Sequence, residues 1–257
     1  MGGEGPRMPR RSMIRIDELL PPGFPQGDLK DALFSLGALY RRIDEATAQF
    51  AAQSGLACPP GCGRCCESFV PDMLPLEATW MAATLIRDRP LEARALAEEG
   101  FPLSAMQSGR CPFYVPEGPY HCGIYEGRSL VCRLFGFSAA RGKEGLPSFA
   151  LCRHMPDKED ATGRSWMGEA LVSQFGATPP LMSDFALQLL ALSPFESHER
   201  QLLFEALPRA LRRIQLLRRL WEGALEEGGR GEAPMAVASP PQGPPTLDEC
   251  EEFQLLS

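Results

Sequence analysis

From Asp28 onward the apolar positions recur with alternating spacings of four and three. Leu29, Leu33, Leu36, Tyr40, Ile43, Thr47 and Phe50 mark one stripe of a helix of about 25 residues. Gly55 supplies its stop, so the helix runs directly into "LACPPGCGRCCESFV". A second helix is expected over "LPLEATWMAATLIRDRP", with Pro75 and Glu77 in its first turn and Pro90 beyond its end. A third, shorter one covers "LEARALAEE". In "CPFYVPEGPYHCGIYEGRSLVCRLFGF" two short aromatic-rich runs flank a Pro/Gly turn. These predict a small β-hairpin, then a helical turn around Leu130 to Phe135.

Beyond residue 160 the pattern turns helical again. "SDFALQLLAL" reads as a buried helix after a Ser cap, and "HERQLLFEALPRALRRIQLLRRLWEGALEEGG" as a long amphipathic pattern broken at Pro208 and ended by glycines. Residues 1–27 and 229–257 carry Gly, Pro and charge without periodicity and are expected to be a disordered arm and tail. A single helical domain over 28–228 lies between them. No repeat of fixed period is visible.

At 257 residues and 44% hydrophobic content the chain can fill a real core, so it needs no staples merely to fold. The net charge of −7 repels phosphate backbones, and no nucleic-acid partner is expected. The first residues lack the apolar run of a secretory signal, and Pro6 occupies the position where a myristoylation signal wants Ser or Thr. No stretch approaches 18 continuous apolar residues, so no membrane span is expected. The expectation is therefore a cytoplasmic protein whose thiols stay reduced, which disfavours a disulfide framework.

Against that background the cysteines stand out. Eight of nine fall between residues 58 and 152: Cys58, Cys62, Cys65 and Cys66, then Cys111, Cys122, Cys132 and Cys152. The ninth, Cys250, is alone in the tail. Cysteine also serves as a small buried hydrophobe, but packing does not predict such clustering. Thiolates two or three residues apart can converge on one ion from a tight turn, which Gly61 and Gly63 permit. Zinc and cubane clusters each take four thiolates, so eight supply two full sites. Neighbouring side chains on extended backbone point to opposite faces, so Cys65 and Cys66 are expected to serve different sites or roles. The stretch between the two cysteine groups reads as an antiparallel helix pair that returns the chain to its start. The two groups are therefore expected to share one core, with at least one site drawing on both.

"CPPGCGRCC", "CPFY", "HCGIY", "CRLF" and Cys152 resemble the cysteine-cluster proteins described as a zinc- or iron-chelating domain, the YkgJ-like family. The resemblance covers residues 55–155 and implies metal binding by the eight clustered cysteines. One departure is Arg128-Ser129 where the family pattern has Arg-Pro, a change expected to leave the ligands untouched. The spacing of Cys58, Cys62 and Cys65 also matches radical S-adenosylmethionine enzymes. However, Arg64 stands where those carry an aromatic, and no alternation of strands and helices follows. Flagellin lysine methylases are similar to the cysteine-cluster family and imply an iron–sulfur centre used in methyl transfer, although the chain shows no Gly-rich cofactor loop after a strand.

His121 and His154 lie beside cysteines and are alternative ligands or hydrogen-bond partners. Arg64, Arg128 and Arg133 are placed to offset thiolate charge, with a solvated surface as the plain alternative. Phe113, Tyr125 and Phe135 read as core aromatics shielding the site. Arg209, Arg212, Arg213, Arg218 and Arg219 read as the solvated face of the last helix.

Together these features predict a mainly α protein, a helical body around an irregular cysteine-rich metal-binding core with a small β-hairpin. The expected function is metal binding, as an iron–sulfur cluster or as zinc, with iron favoured because eight thiolates with few nearby histidines suit clusters. The alternative is an iron–sulfur-dependent redox or methyl-transfer enzyme. A water-excluded pocket beside the cysteines would favour the enzyme, and a closed site with exposed helical faces a non-catalytic module.

Overall fold

The computed structural model describes residues 27–59, 62–116, 121–142, 144–155, 165–196 and 198–228, with side chains as far as residue 221. The expected arm and tail, and Cys250 with them, lie outside the described residues except for Gly27. The chain divides into a unit ending at Trp221 and a second beginning at Glu222. The core and the eight clustered cysteines belong to the first.

Helix α1, Asp28–Ser54, follows the predicted stripe and ends at Gly55, whose φ of 68° is the left-handed cap conformation. Asp28 and Asp31 lie in its first turn, where the helix dipole favours carboxylates. Its buried face divides between two cores. Leu33, Leu36, Tyr40 and Ile43 belong to a large cluster, and Phe50 to a smaller one.

The short helix α2, Arg64–Glu67, carries the adjacent cysteines and leads to strand β1, Asp72–Met73. Helix α3, Pro75–Asp88, is the centre of the large cluster, with every residue from Leu76 to Leu85 buried. Burial on all sides is possible because its polar members are satisfied. Thr79 donates to the Pro75 carbonyl at 2.8 Å and Thr84 to that of Trp80 at 3.0 Å. Tyr40 of α1 meets Trp80 edge-on at 5.5 Å. Helices α4, Pro90–Glu99, and α5, Leu103–Gln107, complete the connection to Cys111. Three helices thus fill the stretch that reads as two.

The hairpin is present as a bridge between Tyr114 and Cys122, flanked by Val115 N–H donating to the His121 carbonyl and Gly123 N–H to that of Phe113. Its tip, 117–120, lies outside the described residues. A 3₁₀ turn, Tyr125–Gly127, and helix α6, Leu130–Leu134, follow. Next, β2 (Ala140–Arg141), β3 (Pro147–Ala150) and β4 (Ser165–Met167) form an antiparallel sheet in the order β2-β3-β4, which the sequence pattern did not reveal. Helix α7, Gly168–Phe175, packs on it, so Phe149 and Phe175 meet Phe50 in the smaller cluster.

Helix α8, Met182–Leu192, matches its expected span. Strand β5, Gln201–Leu202, pairs antiparallel with β1. Helix α9, Leu203–Gly228, corrects one expectation, because it runs through Pro208 without a break. Pro208 falls near the end of its first turns, where only one amide donor is lost. Leu207, Ala210, Leu211 and Ile214, all buried in the large cluster, hold the helix on course. The architecture is mainly helical, as expected, with small antiparallel sheets in addition to the hairpin that was expected.

Candidate metal centre

All eight clustered cysteines carry free thiols. Cys58 lies just beyond the α1 cap, and Cys62 closes a turn in which its N–H donates to the Pro59 carbonyl at 3.0 Å. Cys66 N–H donates to the Gly63 carbonyl at 2.9 Å as α2 begins. The adjacent pair is therefore helical rather than extended. Its sulfurs do not point apart, and Cys65 Sγ and Cys66 Sγ lie 4.0 Å from each other. That is close to the edge of about 3.8 Å implied by a tetrahedron of 2.3 Å Zn–S bonds.

The two cysteine groups meet at Cys66 and Cys111. Cys111 N–H donates to the Cys66 carbonyl at 2.9 Å, and the two thiols interact directly. Cys122 enters from the hairpin and Cys132 from α6, where Cys65 is a shared electrostatic neighbour of both. Cys152 sits in the turn after β3, and with Cys62 and Cys65 it neighbours Cys58. Sequence segments far apart are thus brought to one region.

Tight backbone approach makes this possible. A Cβ on Gly63 would stand 2.5 Å from His121 Cβ and 2.6 Å from Tyr114 Cε2, so only glycine lets the hairpin close on the α2 loop. The Tyr114 hydroxyl donates to Glu67 Oε1 at 2.9 Å, and Arg64 Nη1 to Glu67 Oε2 at 2.8 Å. Glu67 therefore ties α2 to the hairpin, and Arg64 followed by Tyr114 holds its carboxyl below the ordinary value.

From the core side, Glu77 does similar work. Buried on α3, it accepts the N–H of Leu74 at 3.0 Å, the N–H of Leu130 at 2.8 Å and the Tyr40 hydroxyl at 3.3 Å. It fixes the start of α6 and hence Cys132. Arg133, almost fully buried, donates to Asp44 Oδ2 and to the Glu126 carbonyl, both at 2.6 Å, and to the Arg128 carbonyl at 3.0 Å. Its guanidinium lies over Tyr40, 4.2 Å from the ring centroid.

Desolvation pushes the thiols of Cys58 and Cys132 up to about 11, and raises that of Cys122. Hydrogen bonding to Cys111 is foremost in pushing Cys66 up to about 12. Hydrogen bonding to Cys66, then desolvation, raises Cys65 strongly. Arg128 pulls against the rise at both Cys122 and Cys132, and Arg133 at Cys122. Ser129 Oγ donates to Cys132 Sγ at 3.5 Å and acts in the same direction. The Arg128-Ser129 departure therefore does touch one of the clustered thiols, contrary to expectation.

The other candidates divide. His121 donates Nδ1–H to its own hairpin's Val115 carbonyl at 2.8 Å, while His154, Cys62, Arg64 and Tyr114 line an open cleft of about 340 Å³. Arg64 pairs with Glu67 at the surface. Phe113 is core, as expected, but Phe135 is 40% exposed and Tyr125 is half-buried, carrying Arg128 3.6 Å above its ring. The sequence reading missed Glu67, Glu77, Tyr114 and Asp44. Only Glu77 left a signal, as a carboxylate at the third position of a helix.

The donor chemistry fits a metal centre: thiols from two segments, with no carboxylate among the eight and with guanidinium groups at hand. Among the described residues no three ligating side chains converge on one point.

Residues 57–161 match the family model described as "CxxCxxCC: Putative zinc- or iron-chelating domain". The cysteine segment resembles that family over less than half of the chain. The match indicates a zinc- or iron-chelating function for the segment. No curated protein and no solved structure matches the chain. Among the described residues no helix is long and apolar enough to cross a membrane.

Proposed function

We propose that the chain is a metal-holding module that binds iron as an iron–sulfur cluster through Cys58, Cys62, Cys65, Cys66, Cys111, Cys122, Cys132 and Cys152, within one helical domain spanning 28–228. The observation that carries this reading is the meeting of Cys66 and Cys111 beside Cys65, Cys122 and Cys132, with Arg128 and Arg133 acting on the same thiols. Iron is preferred over zinc because eight clustered thiols with few histidines nearby suit clusters. A bound cluster supplies one-electron chemistry or a structural cross-link.

The open cleft beside Cys62 supports a module rather than the methyl-transfer or redox enzyme, whose chemistry favours exclusion of water. A reducing, cytoplasmic setting suits eight free thiols. Arg212 donates to the Ala97 carbonyl and Arg213 pairs with Glu196, so these two arginines are engaged by the protein itself. That use, with the net charge of −7, speaks against a nucleic-acid partner.

Anaerobic purification with iron, zinc and acid-labile sulfide analysis and a visible spectrum tests the reading. Iron with matching sulfide and a band bleached by reductant is the expected result. Zinc without sulfide would transfer the site to a zinc-chelating module.

A further inference from the structure

Beyond Ile214 the apolar positions of α9 lose their cover. Leu207, Ala210, Leu211 and Ile214 are buried in the large cluster, and Leu217, one turn further, packs against its edge. Leu216 is then 58% exposed, Leu220 61% and Trp221 37%. Arg213 Nη1 donates to Glu196 Oε1 at 2.9 Å, which ties this stretch of α9 to the turn carrying Phe195, itself 90% exposed. Residues three and four apart are neighbours on a helix, so Arg213 adjoins Leu216 and Leu217, and these adjoin Leu220 and Trp221. The apolar side chains thus form one surface patch, and a contiguous patch, unlike scattered apolar residues, marks an interaction site.

We infer that this patch is the docking surface of the chain's own arm, residues 14–24, which precedes the described residues and carries Ile14, Ile16, Leu19, Leu20 and Phe24. Alone, so short a run buries too little apolar surface to order itself, and docking supplies the missing surface. Charge selects the same occupant. Asp17 and Glu18 stand in the middle of the apolar run, and Arg218 and Arg219 stand among the apolar residues of the patch. Opposite charges at the rim of an interface fix partner and register.

Reach favours the arm as well. It joins α1 at Asp28, whose first turns place Leu29 and Ala32 against the same large cluster as Leu217. Residues 21–27, with Pro21, Pro22 and Pro25, make a stiff link of roughly 25 Å at the polyproline rise of about 3.1 Å per residue. The tail is the competing segment, because Phe253, Leu255 and Leu256 follow its acidic run. It would have to double back over residues 229–252, and effective concentration falls as about the −3/2 power of linker length. The shorter, stiffer link therefore gives the arm the advantage.

Limited trypsin digestion of the full chain, with cut sites followed by mass spectrometry, tests the docking. Arg15 lies within the docked run, whereas Arg11 precedes it. A synthetic peptide of residues 5–27 gives the ratio of cutting after Arg15 and Arg11 without docking. Cleavage tracks the open fraction, so a docked population of about ten to one should lower that ratio about tenfold in the full chain. Leu220→Glu, at a position already exposed, should restore the peptide's ratio while cutting within the helical body stays as in the parent. The peptide's ratio in the parent, or protection that survives Leu220→Glu, overturns the docking. Protection that disappears on dilution gives the patch to a second copy and overturns it too. None of these outcomes touches the metal reading, because the arm holds none of the clustered cysteines.

Discussion

The Glu77 carboxylate accepts the backbone N–H of Leu130 at 2.8 Å, joining the middle of the helical core to the first residue of the turn that carries Cys132. The same carboxylate holds Leu74 and Tyr40, so one buried group locks α3, α1 and α6. The cysteine region is therefore anchored to the core by polar bonds as well as by packing.

Removing that anchor has a defined cost. Glu77→Ala leaves two amides and a hydroxyl without their partner and should lower stability by about 3 kcal/mol, read by denaturant unfolding. Glu77→Gln keeps an acceptor and should lose less. Equal losses in the two variants would mean that packing rather than hydrogen bonding fixes α6.

Glu77 also sets a pH dependence. Desolvation raises its carboxyl above the ordinary value of 4.5 despite the amides that oppose the shift. A raised folded-state pKa means that the folded protein holds the proton more tightly. The contribution is present in full below about 4.5 and is lost as pH rises through the folded value. The stability of the parent relative to Glu77→Gln should thus fall as pH increases from about 4.5. A difference that stays flat or rises would contradict the assignment.

Gly63→Ala should force the hairpin away from α2, because its Cβ would meet His121 and Tyr114 well inside contact distance. A loss of about 1–3 kcal/mol is expected from such overpacking, and weaker metal retention should accompany it. Thermal unfolding and metal content on the same sample check both effects. Unchanged metal content with lowered stability would separate hairpin closure from the site.

Metal removal should act locally. Structural metal contributes on the order of 10 kcal/mol to folding, but α3 is buried in the large cluster with residues of α1 and α9 such as Leu36, Tyr40, Leu207 and Leu211. After chelation, amide exchange should accelerate in 62–67, 111–115 and 121–134 while α3 stays protected. Uniform protection along the chain would show that the metal organises nothing.

The long stripes were legible because periodicity over about five turns is hard to mistake, as in α1 from Leu33 to Phe50. The sheet β2-β3-β4 was not. Its strands run two to four residues, too short for alternation to show, and β3 opens on a proline. Pro208 reads as a break, yet tertiary burial of Leu207 and Leu211 outweighs one missing amide. At the site, the approach of the two cysteine segments was readable from the helices between them, whereas the helical turn that aims Cys65 and Cys66 together was not. The Glu67–Tyr114 and Arg133–Asp44 bonds join residues far apart in sequence, so spacing carries no signal for them.

The central claim is that the clustered cysteines, and not the tail cysteine, hold metal. Metal content per chain, measured on folded Cys62→Ser, Cys132→Ser and Cys250→Ser proteins purified without oxygen, tests it most directly. The account predicts a fall in the first two and the parent's content in the third. Equal loss in all three, or full retention in all three, would contradict it.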